Sequence, residues 1–147
     1  MRTSEPPVAH ALRLRPGADL REALEAFARS TPVAAAGVVS AVGSLSVARI
    51  RLAGAKEIRA LQGPWEVVSL NGTVGAGGAH LHAMVSDADG RCLGGHVCAG
   101  CIVHTTAELV LLELPGLRFD RTRDPQTGYP ELDIQARTGA TRTPGAV

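Results

Sequence analysis

Residues 79–97 read AHLHAMVSDADGRCLGGHV, and the character of the fold follows from them. Successive side chains of a strand point to opposite faces. Ala79, Leu81, Ala83 and Val85 therefore share a face that suits a core, and His80, His82, Met84 and Ser86 share the other. Asp87-Ala88-Asp89-Gly90 is a strong turn signal, because Asp bonds to nearby backbone and Gly accepts positive φ. CLGGHV then returns as the second strand of a hairpin. The return brings His96 toward His80 and His82, and Gly94-Gly95 lets the backbone bulge or approach closely.

Upstream, residues 8–15 (VAHALRLR) read as a first strand stopped by Pro16-Gly17. Asp19 is placed to cap a helix over DLREALEAFARS, since its carboxylate can accept from the free amides of the first turn. Leu20, Leu24 and Phe27 fall at helical spacing, and Thr31-Pro32 ends the helix. From Ala34 the pattern is strands and turns. AGVVSAVGSLSVARIRLAG suggests two strands broken near Gly43-Ser44. Ile58–Leu61 reads as a short strand and WEVVSLNGTVG (65–75) as a longer one. GTVGAGG (72–78) reads as a flexible hairpin loop, with neither the lysine nor the following helix of a phosphate-binding loop.

Downstream, CIVHTTAELVLLELPG (101–116) is an extended strand closed by Pro115-Gly116, and LRFDRTRD is a last strand. The polar run from Arg137 predicts a flexible tail over 137–147, leaving one domain over 1–136. One helix among many sequential strands predicts an α+β fold: a mostly antiparallel, partly barrel-like sheet with one main helix packed on it.

Composition narrows the function classes. The chain has 147 residues, 45% hydrophobic but only 3% aromatic, so aliphatic side chains must fill the core. A net charge of +1 lacks the basic excess of a protein held to nucleic acid mainly through phosphates. The first residues carry no apolar export segment, and no apolar run reaches membrane-spanning length. Three cysteines, all between residues 92 and 101, fit a reduced, cytoplasmic protein rather than a disulfide scaffold.

His80, His82 and His96 are the candidate metal ligands. Three imidazoles converging from a hairpin suit zinc, nickel, copper or iron. Three protein ligands leave a coordination position open for water or substrate. Glu66, Asp87 or Glu108 could orient a ligand or take protons from bound water. The same spacing also fits three hydrogen-bonded strand histidines. His10 and His104 read as ordinary strand residues. Cys98-Ala99-Gly100-Cys101 has C-x-x-C spacing, but it lies between strands rather than at the helix N-terminus that activates a redox cysteine. A zinc clip of both cysteines with His96 and Cys92 stays open; buried, inert thiols are the default. Glu66 reads as sharing a face with Val68 and Leu70, where a carboxylate needs an arginine or metal partner.

Several stretches read together resemble a known family. GPWEVVSLNGTV, AHLHAMVSDADGRCLGGHV and GCIVHTTAELVLLELPGLRFDRTRDPQTGYPELDI resemble segments of the plants and prokaryotes conserved (PPC) domain, from about Val8 to Ile134. Trp65 replaces the usual aromatic, and Pro64 stands where arginine is frequent. The resemblance implies an antiparallel sheet with one helix, assembled as a homotrimer, and a bacterial stand-alone member. It also implies a fold similar to acetolactate decarboxylase, which binds zinc through an HxH pair and a later histidine. Carried over by motif, His80, His82 and His96 become ligands of a divalent metal, zinc first, and Glu66 a nearby catalytic acid. The family is commonly labelled DNA-binding by its association with AT-hooks, and this chain has no AT-hook core. Two functions stay open: a self-assembling module with protein or DNA partners, or a metal-dependent lyase or hydrolase acting on a small carboxylate or keto-acid.

Overall fold

A computed structural model describes residues 5–137. The first strand, β1 (Val8–Leu14), gives way at Gly17 to the helix α1 (Leu20–Ser30). Asp19 caps it as expected: one carboxylate oxygen accepts from the amides of Arg21 and Glu22 at 3.0 and 3.2 Å. The other oxygen accepts from the Gly100 amide, so the cap also ties the helix to a distant turn. Leu20 and Leu24 are buried, Ala28 completes the apolar stripe and Phe27 packs at its edge. At the far end the Thr31 hydroxyl donates to the Phe27 carbonyl at 2.7 Å.

The remaining elements are β2 (Ala35–Arg51), β3 (Ile58–Gly75), β4 (Gly78–Ser86), β5 (Cys92–Val97), β6 (Ile102–Glu113), β7 (Leu117–Arg123) and β8 (Pro130–Ala136). β1 to β6 form one antiparallel sheet in the order β1-β6-β2-β3-β4-β5. The end of β2 also pairs with β5, matching Ile50 with Val97 and Arg51 with His96. That extra ladder curls β2 to β5 into a partly closed barrel, and α1 packs against β3, β4 and β6. Leu20, Leu24, Ile50, Leu81, Val97 and Leu111 are essentially inaccessible. Each buried leucine or isoleucine contributes about 1.5–3 kcal/mol, so a core nearly without aromatics suffices.

Four expectations are corrected. β2 does not break at Gly43-Ser44; its register against β6 shifts between Gly43 and Leu45, and the strand continues. The two strands expected over 58–75 are one. Leu45 pairs with Trp65 and Val47 with Gln62, so the strand absorbs Gly63-Pro64 in a bulge, where a missing proline N–H breaks no ladder bond. The glycine run is mostly strand, and only Ala76-Gly77 turns. Gly72 has φ +148°, and a Cβ there would lie 2.0 Å from the His80 carbonyl oxygen. Its role is close approach, not a flexible loop. Finally, LRFDRTRD is not the last strand: β7 pairs antiparallel with β8, and Leu117 and Phe119 anchor this hairpin against Ala35.

Arg137, expected to begin a tail, is held. Its amide donates to the Gly116 carbonyl at 2.9 Å and its guanidinium to the Pro32 carbonyl at 2.7 Å. The rest of the expected tail, 138–147, lies outside the described residues. Among the described residues no helix is long and apolar enough to cross a membrane.

Candidate metal centre

The β4–β5 hairpin builds the site as its sequence predicts. Ala79, Leu81, Ala83 and Val85 face the core, while His80 and His82 face outward. The Asp87 carboxylate accepts from the amides of Asp89 and Arg91 at 3.0 and 2.9 Å. It is thereby committed to the turn rather than to a histidine. The resulting register sets His82 opposite His96. Gly95 permits the final approach, because a Cβ there would lie 2.6 Å from the Arg51 carbonyl oxygen.

The three rings converge. Their centroids are 5.2 Å (His80–His82), 5.0 Å (His80–His96) and 5.6 Å (His82–His96) apart. One nitrogen from each ring lies within 4.8 Å of the others, so the group could hold a metal ion. Nδ1 of His96 is buried with no hydrogen-bond partner. An unpartnered buried polar atom costs on the order of 1–3 kcal/mol, and a bound ion or ligand would remove that cost. Burial first, then the neighbouring His80, Arg51, Arg21 and His82, push His96 down to about 4. Burial also lowers His80, aided by Arg121 and His82 and opposed by Glu131. Both rings are therefore neutral at physiological pH, the form that ligates. The donor set fits zinc, with which imidazole forms bonds of about 2.0–2.1 Å.

Beside the histidines lies a cavity of about 830 Å³, lined by His80 and His96 together with Arg21, Arg51, Lys56 and Arg121. A smaller one of about 410 Å³ shares His80, Arg121 and Glu131 and adds His82. The charged residues were not expected from sequence. They come from α1, the end of β2, the β2–β3 turn and the β7–β8 hairpin, and no local motif announces such a meeting. Glu66 and Glu108 line neither cavity. Both are exposed, Glu66 opposite Ser86 at the far end of β4. The expected apolar setting of Glu66 is also corrected. A bulge between Val67 and Ser69 turns Val67 and Leu70 inward, while Val68 is 55% exposed.

His10 binds the buried Glu113 at 2.8 Å, and His104 is exposed. All three cysteines are free, with Cys98 and Cys101 buried and Cys92 exposed. Cys101 takes the Arg49 amide and donates to the Arg49 carbonyl. Burial pushes its thiol up to about 11, which keeps it protonated at neutral pH.

The HxH strand, tight turn and GGH return, on this sheet, coincide with a family model for the Plants and Prokaryotes Conserved (PCC) domain over residues 1–115. The chain belongs to that family. It is the family abbreviated PPC above. A relative, the bifunctional protein GlmU of Synechococcus sp. (strain JA-3-3Ab), is 49% identical over 130 residues, covering 88% of this chain and 21% of that one. This PCC chain thus spans about a fifth of the length of that curated relative. Among solved structures, a hypothetical protein from Salmonella is 42% identical with TM-score 0.88, covering 93% of this chain and 99% of that one. A metal-containing protein from Archaeoglobus fulgidus is 29% identical with TM-score 0.74, covering 85% and 92%. A DNA-binding candidate from Bacteroides thetaiotaomicron shares the fold at 21% identity and TM-score 0.74, covering 85% and 91%.

Proposed function

We propose that this PCC domain is a self-assembling, metal-binding module whose ion is held by His80, His82 and His96. The observation that carries the reading is the convergence of the three nitrogens within 4.8 Å, with the His96 Nδ1 buried and unpartnered. The likeness to a protein from Archaeoglobus fulgidus described as metal-containing supports it. Zinc is the first candidate because neutral imidazoles suit it and three protein ligands leave a place for a ligand. Elemental analysis should find about one divalent ion per chain, and His82→Ala should lose it. Full stoichiometric zinc in that variant would defeat the assignment.

Assembly is proposed to be a homotrimer in the cytoplasm. Val39 (62% exposed), Val42 (58%), Val68, Met84 and Val110 leave apolar surface on β2, β3, β4 and β6, of the kind that marks interaction sites. Three free thiols suit a reducing compartment. Light scattering should give three times the 15.2 kDa chain mass.

Structures that share the fold are described as DNA-binding candidates, but the cations beside the histidines of this chain line a cavity. That arrangement favours, as the second reading, a lyase or hydrolase for a small carboxylate or keto-acid. A metal in such a site supplies Lewis-acid polarisation of an oxygen. The surrounding arginines would bind and orient the ligand. Glu66 lines neither cavity, so it would serve as an acid only where assembly brought it to a neighbouring protomer's site, and Glu66→Gln should leave the zinc content of the protein unchanged.

A further inference from the structure

We infer that the larger cavity is a receptor for a small doubly charged oxyanion, gripped by Arg51, Lys56 and Arg121 beside the histidines. The inference deepens the reading of this cavity as the functional site and rests on it. Four cations line the cavity, Arg21, Arg51, Lys56 and Arg121, against one carboxylate, Glu131. Arg21 is already satisfied: its Nε donates to Glu25 at 2.9 Å and its guanidinium also reaches the Val97 carbonyl. Setting it aside with Glu25 leaves three cations and one anion, a surplus of two.

The three remaining cations are poorly served by the protein. Arg121 is half-buried and gives one bond, to the Thr73 hydroxyl at 2.9 Å. Arg51 is also half-buried, and neither its guanidinium nor the Lys56 ammonium has a hydrogen-bond or ion-pair partner among the described residues. Holding Arg51 and Arg121 together, partly out of water and with few partners, is unfavourable, and the exposed Lys56 adds a third like charge at the rim. A dianion relieves it, and guanidinium groups match carboxylate and phosphate oxygens with paired donors. The volume, about 830 Å³, is that of a small-molecule site, about 300–1,000 Å³.

Placement ties the anion to the histidines. Arg51 is the strand partner of His96, and Arg121 lines both cavities together with His80. An anion spanning the two arginines therefore lies against the imidazoles. Dicarboxylates and phosphates share this chemistry, and titration distinguishes them.

Calorimetric titration of metal-stripped protein at low ionic strength would use succinate, inorganic phosphate and, as an uncharged control, succinamide. One or both dianions should bind, and succinamide should not. Arg51→Gln should weaken binding about tenfold or more, the loss of one charged hydrogen-bonding partner. Lys56→Gln, in an exposed turn where folding is not at stake, should weaken it in the same direction. Binding of succinate alone assigns a dicarboxylate site, and of phosphate alone a phosphate site. Failure of both dianions to bind below about 10 mM, equal binding of succinamide, or unchanged affinity in both variants would overturn the inference. A parallel titration of His82→Ala separates it from the metal assignment. Anion binding with zinc lost in that variant supports both, and zinc binding by the parent protein without anion binding sinks only the receptor.

Discussion

His82 on β4 stands directly opposite His96 on β5, with ring planes at 89° and centroids 5.6 Å apart. A strand pair holds this relation by backbone register, so the rings need no help from side-chain packing to meet. His80 joins them from two residues along the same strand. The order of the site therefore depends on the hairpin.

The low proton affinity of His96 makes the metal-free protein acid-sensitive. Its folded value of about 4 lies below the ordinary 6.5, so between those values the unfolded chain binds more protons. Stability contributed by the neutral ring is present above 6.5 and is lost as pH falls toward 4; His80 shifts in the same direction. Urea midpoints of metal-free protein should be lower at pH 5 than at pH 7.5, and His96→Asn should narrow the difference. An unchanged gap would assign acid sensitivity elsewhere.

Gly72→Ala should damage both fold and site. The new methyl would meet the His80 carbonyl at 2.0 Å, forcing β3 and β4 apart under a candidate ligand. We expect a loss of at least about 2 kcal/mol with weaker zinc binding. Gly90→Ala is the control: φ is +78° but nothing lies within 4 Å, so only the backbone cost of about 1–2 kcal/mol applies. Chemical denaturation of the two variants makes the comparison.

Thiol reactivity should sort by burial. A colorimetric thiol reagent should label Cys92 quickly in native protein at pH 8, and Cys98 and Cys101 only on unfolding. Cys101, raised to about 11, should be the slowest. Rapid reaction of all three would contradict the packing of the β5–β6 turn.

Duplex DNA should bind this chain no better than a weak electrostatic ligand. The net charge is +1, and each phosphate contact requires a cation. Sequence-selective binding with submicromolar Kd at physiological salt, surviving loss of His80 and His82, would move function to a surface patch.

The hairpin over 78–97 was legible because its signals are local: period-two alternation, an Asp-Gly turn and two glycines before a histidine. The continuity of β2 and β3 was not, since a glycine or proline that breaks an isolated strand is absorbed here by a bulge against a neighbour. β8 was missed for a different reason. PELDIQA is polar and mostly exposed, and it is a strand because β7 pairs with it. Glu66 was misplaced by assuming unbroken alternation, which the bulge at Val68 interrupts. The arginines around the cavity carry no local signature, because their meeting depends on the whole sheet closing.

Two inheritances are therefore joined at one point. The three imidazoles travel together on seventeen consecutive residues, His80 to His96, a cassette of one hairpin seated by Gly72 on one side and the end of β2 on the other. The cations around them come from four separate stretches of chain. Changes in the β2–β3 turn or the β7–β8 hairpin can rewrite the neighbourhood while leaving the cassette untouched. Lineages that keep the HxH and GGH pair should diverge first at the positions of Lys56 and Arg121, trading one guest for another around the same triad.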